Sequence, residues 1–285
     1  MENLTTLAFD LRKDVLSMIR HGKTGHVGGD MSVMDILVAL YFSQLKVDPK
    51  HPDDPDRDRF ILSKGHSMEA YYAVLAAKGF LNREDVIQRY SQFGSPYIGH
   101  PNNKLPGIEM NSGSLGHGLS VGVGMALAAK MDNRSYRVYT VLGDGEMAEG
   151  SVWEAIMAAG HYQLDNLCAV VDRNRLQISG NTEDVMSQDD QGARWSSFGW
   201  HVLSADGNNI DALNAAFEKA RSFQGKPTVI IAHTIKGYGS PLMENKASWH
   251  HKVPTEEEYK QILQDLERRK EAFSHEQNCK PAGHL

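Results

Sequence analysis

Apolar residues along this chain switch between two periods, and the switching predicts an alternation of helices and buried strands. Leu4, Leu7, Leu11, Val15 and Met18 recur at helical spacing, predicting an amphipathic helix that ends near Gly22. Val138 to Leu142 (V-Y-T-V-L) is an apolar, β-branched run, and Leu167 to Asp172 (L-C-A-V-V-D) is a second apolar stretch that ends in an aspartate. Runs of this kind suit strands covered on both faces of a parallel sheet. Between them, from about Ser151, Val152, Ile156 and Ala159 fall at helical spacing. A strand, helix, parallel strand unit with right-handed crossover sets the two strand ends side by side.

The rest of the chain repeats the alternation. Ser32 with Asp35 has the form of a capping-box variant opening a helix through Val38 and Tyr41. His51 to Asp58 is a Pro- and Asp-rich exposed connector, followed by a short strand Arg59 to Leu62, a helix from about Ser67 to Ala77 and a shorter one from Asn82 to Tyr90. Ser91 to Asn111 has no periodicity, and a loop of that length inside a compact domain is usually functional. A glycine-rich turn, Ser112 to Gly118, then opens a helix whose N-terminus is suited to an anion, although Gly122 and Gly124 are better explained by close helix-to-sheet packing. Ile178 to Trp195 is polar and aperiodic; Trp200 to Leu203 and Thr228 to Ala232 predict strands, with a helix from Ile210 to about Phe223 between them. Thr255 and Glu258 cap a last helix with Tyr259, Ile262, Leu263 and Leu266 on one face. The expectation is a doubly wound α/β fold, a mostly parallel sheet with helices on both faces. One domain over 1–273 with a tail at 274–285 is the economical division, since no repeat or low-complexity linker interrupts it.

Charge narrows the partners. Asp and Glu total 36 against 30 Lys and Arg, a net charge of −6, which argues against nucleic acid. The two cysteines, Cys168 and Cys279, offer no disulfide framework, and the start M-E-N-L-T-T lacks the basic and apolar regions of a signal peptide. No apolar run reaches the roughly 20 residues of a membrane span, so a soluble cytoplasmic protein is expected.

The chemistry gathers at the strand ends. Val138 to Leu142 runs into Gly143-Asp144-Gly145, and Asn174 follows Asp144 by thirty positions, just past the second strand. Ligands of open α/β sheets bind at such carboxyl ends. One carboxylate, one amide oxygen and a loop carbonyl make a poor cage for a lone metal but suit Mg²⁺ that completes its shell on ligand phosphates and water. The glycines let the backbone approach a diphosphate. Of 13 histidines, His26, His66 and His100, each after a glycine, and His250, after Trp249, stand in loops or at element ends, where an imidazole can donate, accept and move a proton. None is paired at zinc-ligand spacing except the adjacent His250-His251, whose side chains are expected to diverge.

These segments resemble the transketolases, in the family's order, from Leu4 to about Leu266. Gly143-Asp144-Gly145 with Asn174 is similar to their thiamine-diphosphate motif, and the resemblance implies Leu176 as a carbonyl ligand of Mg²⁺ (or Ca²⁺ or Mn²⁺) beside Asp144 and Asn174. It also implies that Thr24-Gly25-His26, Ser63-Lys64-Gly65-His66, Gly99-His100-Pro101 and Ser248-Trp249-His250 carry the histidines of the substrate channel. Gly113, Ser114 and Leu115 would contact the cofactor, and Glu149 would communicate between cofactor sites; equally, Glu149 reads as a carboxylate at a helix N-terminus. His117 stands where many members have Gln, which leaves its role open. The resemblance covers only the family's diphosphate-binding half. It therefore implies a split, two-component transketolase that moves a two-carbon ketol unit between sugar phosphates. A separately encoded pyrimidine-binding subunit would supply the carboxylate that activates the cofactor, in a two-plus-two heterotetramer. The alternatives are a subunit of a 2-oxo acid dehydrogenase, a relative of deoxyxylulose phosphate synthase, and a non-catalytic regulatory subunit.

Overall fold

The protein is described by a computed structural model covering residues 3–188 and 190–279. Helices α1 (Leu4–Gly22) and α2 (Val27–Ala39) precede strand β1 (Arg59–Leu62), which is followed by α3 (Met68–Lys78), α4 (Arg83–Arg89) and, after a long irregular segment, α5 (Gly118–Met131). Next come β2 (Val138–Gly143), α6 (Gly150–His161), β3 (Leu167–Arg173), the small strands β4 (Leu176–Gln177) and β5 (Gly180–Asn181), and short α7 (Thr182–Val185) and α8 (Gln191–Ser197). The chain closes with β6 (His201–Asp206), α9 (Ile210–Ser222), β7 (Thr228–His233) and α10 (Glu256–Cys279).

The five long strands form one parallel sheet in the order β1-β2-β3-β7-β6. Successive side chains of a strand point to opposite faces, and here both faces are covered. Phe60, Leu62, Tyr139, Val141, Val170 and Ile230 pack under α1, α2, α3 and α9. Val138, Leu142, Ala169, Val171, Val229 and Ile231 pack under α5, α6 and α8. This is the doubly wound α/β sandwich expected. All seven residues of β3 are buried, as its continuous apolar run requires. Register pairs Gly143 of β2 with Asp172 of β3, so the two strands end level and their following loops leave from one place. Gly122 is packing: an added Cβ there would stand 2.7 Å from Thr140 Oγ1, whereas Gly124 faces open space.

Three segments depart from the expectations, each for a physical reason. α2 begins at Val27, five residues before Ser32; every one of its residues is buried, and a helix buried on all sides has no amphipathic stripe to mark its start. Ser32 is therefore no cap; its hydroxyl lies inside the protein and donates to Asp172. The polar stretch after Ile178 is not a plain loop but holds β5, α7 and α8, with Trp195 fully buried. α10 continues past Phe273 to Cys279, so residues 274–279 of the expected tail are helical, and 280–285 lie outside the described residues. The reciprocal cap of α10 is present, the Glu258 N–H donating to Thr255 Oγ1 at 3.2 Å and the Thr255 N–H to Glu258 Oε2 at 2.9 Å. Among the described residues no helix is long and apolar enough to cross a membrane.

Arg12 of α1 is fully buried. It donates to Asp35 Oδ2 at 2.6 Å and to the Met31 carbonyl at 2.8 Å, fastening α1 to α2. Removing one partner of a buried pair strands the other charge. Asp35→Ala is expected to lower unfolding free energy by about 3–5 kcal/mol in urea titration, a larger loss than Asp35→Asn gives.

Candidate active site

The loops that leave the sheet's carboxyl end are tied by one buried carboxylate. Asp172, the penultimate residue of β3, is 0% exposed and accepts hydrogen bonds from Lys64 Nζ after β1, from Ser32 Oγ of α2 at 2.7 Å and from Thr234 Oγ1 after β7. Lys64 also donates to the Gly29 carbonyl at 3.2 Å, and Asn174 Nδ2 donates to Ser32 Oγ at 3.3 Å. Four elements thus meet at a charge-assisted knot, and Asn174 hangs from it.

Around this knot lies a cavity of about 400 Å³ lined by Asp144, Asn174, Leu176, Lys236, Gly143 and Gly145, among others. Asp144 is buried; burial and then neighbouring Asp172 push its carboxyl up to about 6. Its oxygens accept from the N–H of Gly145 at 2.8 Å and from the N–H of Arg175, while the Arg173 guanidinium stands at 3.6 Å. Asn174 Oδ1 accepts the Leu176 N–H at 3.1 Å, and the Leu176 carbonyl accepts Lys236 Nζ at 2.9 Å. Carboxylate, amide and peptide oxygens form a hard, all-oxygen donor set, each with lone pairs to spare. Among the described residues no group of three His, Cys, Asp or Glu could hold a metal by itself. A cation here would need ligand oxygens to complete its shell, so the residues fit a Mg²⁺-diphosphate and not a closed zinc site. The glycines divide their work. An added Cβ at Gly143 would find no atom nearer than 3.7 Å, leaving its backbone open to a ligand, whereas one at Gly145 would meet the Gln177 side chain at 3.1 Å.

Glu146 organises the neighbouring wall. Fully buried, with its carboxyl raised by burial, it accepts from Ser63 Oγ, from the Gly116 N–H at 2.8 Å and from the Gly143 N–H at 2.9 Å. The N-terminus of α5 is accordingly less free for an anion than its glycines suggest, because Ser63 Oγ also accepts the Gly118 N–H at 3.2 Å. Gly113, Leu115 and the exposed Glu149 line the cavity. Ser114 lies instead with Ser112 and His117 along a separate shallow depression, and exposed His117 bonds back to the Leu115 carbonyl through Nδ1 at 2.8 Å. A comparable hollow of about 460 Å³ between α1, α9 and α10, lined by Phe9, Tyr238 and Arg269, holds none of the four histidines.

His26, His66, His100 and His250, spread over 225 positions, come together in one cluster, and His66 and His250 line the cavity. His26 is the hub, its ring centroid 5.4 Å from His66, 6.0 Å from His100 and 5.9 Å from His250. His251 does not diverge from this group: it packs edge-on against His26 at 4.7 Å and bonds Thr24 Oγ1 through Nε2 at 3.2 Å. The short helical turn at Ala247–Trp249 swings both rings of the dipeptide toward His26. Burial, followed by neighbouring imidazoles and by Lys64 and Lys236, pushes His26 down to about 4. Burial and then Lys236 take His250 to about 3, and burial and Lys64 hold His66 well below its ordinary value. At neutral pH these imidazoles are uncharged, each able to donate from one nitrogen and accept at the other. Lys236 Nζ donates to His250 Nδ1 at 2.8 Å, which leaves Nε2 to carry that ring's proton.

A sheet-end cavity with hard oxygen donors belongs to domains that grip a phosphorylated ligand through a divalent cation. Residues 5–280 match the family described as the transketolase thiamine diphosphate binding domain, and the chain belongs to that family. It is 49% identical to one of the subunits of the apulose-4-phosphate transketolase of Phocaeicola vulgatus, over 94% of this chain and 95% of that one. It is 43% identical to a 6-deoxy-6-sulfo-D-fructose transketolase subunit of a Clostridium species, over 90% and 94% respectively. Among solved structures it is similar to the transketolase of Campylobacter jejuni, with TM-score 0.89 and 29% identity, covering 95% of this chain but 43% of that longer one.

Sequence reasoning passed over Lys64, Asp172, Lys236, Glu146 and His251. Lys64 and Lys236 stood inside motifs noted for other residues, and their burial was the missing signal. Nothing in the local pattern singled out Glu146. The lowered histidines give a pH dependence with a definite sign. The unfolded chain takes up protons below about pH 6.5 that folded His26 and His250 refuse until about 4 and 3. The stability they contribute is present above about 6.5 and is lost as pH falls toward the folded values. Urea titrations at pH 7 and pH 5 should show a smaller acid loss in His26→Asn and His250→Asn than in the wild type.

Proposed function

We propose that this chain is the cation- and diphosphate-holding subunit of a cytoplasmic two-component transketolase. Paired with a separately encoded pyrimidine-binding subunit, it would move a two-carbon ketol unit from a ketose phosphate to an aldose phosphate. The observation that supports this most directly is that His66 and His250 line the cavity that holds Asp144, Asn174 and Leu176, with His26 packed on both rings and His100 packed on His26.

Thiamine diphosphate, when bound, supplies the nucleophilic carbon that takes up the ketol unit. Asp144, Asn174 and the Leu176 carbonyl would hold Mg²⁺ (or Ca²⁺ or Mn²⁺) against its phosphates, with Gly143 giving the backbone room to approach. Gly113 and Leu115 line the same cavity. The neutral imidazoles of His26, His66, His100 and His250 then hydrogen-bond substrate hydroxyls and the carbonyl, taking and returning protons as charge develops on those oxygens. Neutrality serves this role, since an imidazolium has no lone pair with which to accept a proton.

A partner is supported by the exposed rim. Ile178, at the cavity mouth, is 72% exposed, and Val185 and Met186 of the same segment are exposed as well, an apolar edge suited to being covered by another chain. Both of these relatives are named as subunits, which supports a separate partner chain, and the proposed assembly is two-plus-two with the pyrimidine-binding chain. Their named substrates, apulose 4-phosphate and 6-deoxy-6-sulfo-D-fructose, belong with xylulose 5-phosphate in any panel of donors.

With thiamine diphosphate, Mg²⁺ and ribose 5-phosphate as acceptor, the mixture of the two subunits should transfer ketol units and this chain alone should not. Asp144→Ala should abolish transfer and, by calorimetry, cation-dependent cofactor binding. Transfer by this chain alone would refute the need for a partner, and absence of cofactor binding in chain and mixture alike would refute the cofactor-holding role. His100→Ala in the mixture should lower kcat/KM by about 10²-fold.

A further inference from the structure

Asp30 and Glu69 lie beneath the imidazole cluster, outside the donor set just described. Both are fully buried at 0% exposure, in the N-terminal turns of α2 and α3. Each has one oxygen on donors of the chain. Asp30 Oδ1 accepts the Ala70 N–H at 3.0 Å; Glu69 Oε1 accepts the Tyr90 hydroxyl at 2.5 Å and the His26 N–H at 3.2 Å. The other two oxygens, Asp30 Oδ2 and Glu69 Oε2, meet no donor among the described residues, yet the two side chains touch one another. Two ionised carboxylates in contact away from water repel, and neither has a proton to offer the other. One proton between them removes both conflicts.

We propose that Asp30 and Glu69 share a single proton, carried on Asp30 and donated to Glu69, and that the remaining negative charge makes Glu69 a positioning residue for His26. The second half rests on the ketol-transfer function proposed above. Glu69 sets the turn that presents His26: Gly25 has φ +154°, and a Cβ there would stand 2.6 Å from Glu69 Oε1. His26 in turn is the ring against which the other four imidazoles pack. The groups facing the pair are His26, Lys64, Tyr72 and Tyr90, so the pair's single charge sits among one cation, an imidazole and two phenols. Burial raises both carboxyls, and Glu69, which accepts from two donors of the chain against one for Asp30, is the better held anion, so the proton falls to Asp30. Lys64 and Lys236 disfavour a proton on His26. An anion below the ring opposes them, so the imidazole can accept a proton while a substrate hydroxyl gives one up.

The test has a spectroscopic arm on this chain alone and a kinetic arm on the reconstituted pair. Infrared spectra at pH 7 should contain a buried carboxylic-acid carbonyl band, shifted in D₂O, lost in Asp30→Asn and kept in Glu69→Gln. In the reconstituted enzyme, Glu69→Gln, which keeps the shape and removes the charge, should lower kcat roughly tenfold or more while KM stays within about twofold. Asp30→Ala should fall in parallel, and Asp30→Asn, which still donates, should recover most of the loss. If Glu69→Gln melts early, Tyr90→Phe removes only the hydroxyl given to Glu69 and should move the carbonyl band. No such band in the wild type, an unmoved band in Tyr90→Phe, or full activity in Glu69→Gln would overturn the proposal. If the wild-type mixture itself transfers nothing, the transketolase function fails instead, and the infrared band still decides whether the pair shares a proton.

Discussion

The site depends on one buried anion. Asp172 stands at the end of the central strand with no access to water, and Lys64, Ser32 and Thr234 converge on it from three other elements. Moving a carboxylate out of water costs several kcal/mol, which only well-placed donors and an opposite charge offset. Such a group has little tolerance for misplacement, so the loops that carry its donors are held to one arrangement. Asn174 two residues on, Gly29 under the lysine and the start of the loop to Lys236 all take their positions from that arrangement. Parallel strands end without a shared turn, and a charge-assisted knot of this kind does for their loops what a hairpin does for antiparallel strands.

Electrostatics then separates two functions within a small space. Below and behind, carboxylates and lysines satisfy each other. At the mouth, histidines from distant segments are kept neutral by burial and by Lys64 and Lys236, with Lys236 also selecting the His250 tautomer through Nδ1. A set of neutral imidazoles beside an all-oxygen cradle can hydrogen-bond a polyhydroxylated substrate without competing for the cation, which hard oxygen ligands hold better than uncharged nitrogen does. The same lysines that keep the rings neutral also face the diphosphate cavity, so one pair of cations serves both regions.

The apolar frame makes these placements possible. With the central strands covered on both faces, the body of the sheet is apolar, and reactive groups gather at the strand ends and in the loops that follow them. Close approach is handled by glycine where a side chain would intrude, as at Gly122 against Thr140 and Gly28, where an added Cβ would stand 2.6 Å from the Trp249 carbonyl. That last contact brings the loop bearing His250 and His251 down onto the start of α2 and so onto His26.

Local pattern by itself determined much of this. Apolar runs marked β2, β3 and β7 because a strand buried on both faces has no polar positions, and Thr255 with Glu258 marked the start of α10 because capping is a short-range hydrogen bond. Asp144 was legible because it stands between two glycines at a strand end, and Asn174 because it follows at the spacing that resembles the family's motif, just past the next strand. Only the tertiary structure could show that α2 starts at Val27, since a helix buried on every side lacks the period that betrays its ends. Nor does spacing reveal that Asp172, Glu146, Asp30 and Glu69 are buried; a carboxylate's meaning depends on whether water or another chain segment faces it. His251 shows the same division. Its neighbour in sequence predicted divergence, but a single turn of helix and the packing of Trp249 set both rings against His26, and such a turn is decided by contacts made across the whole fold.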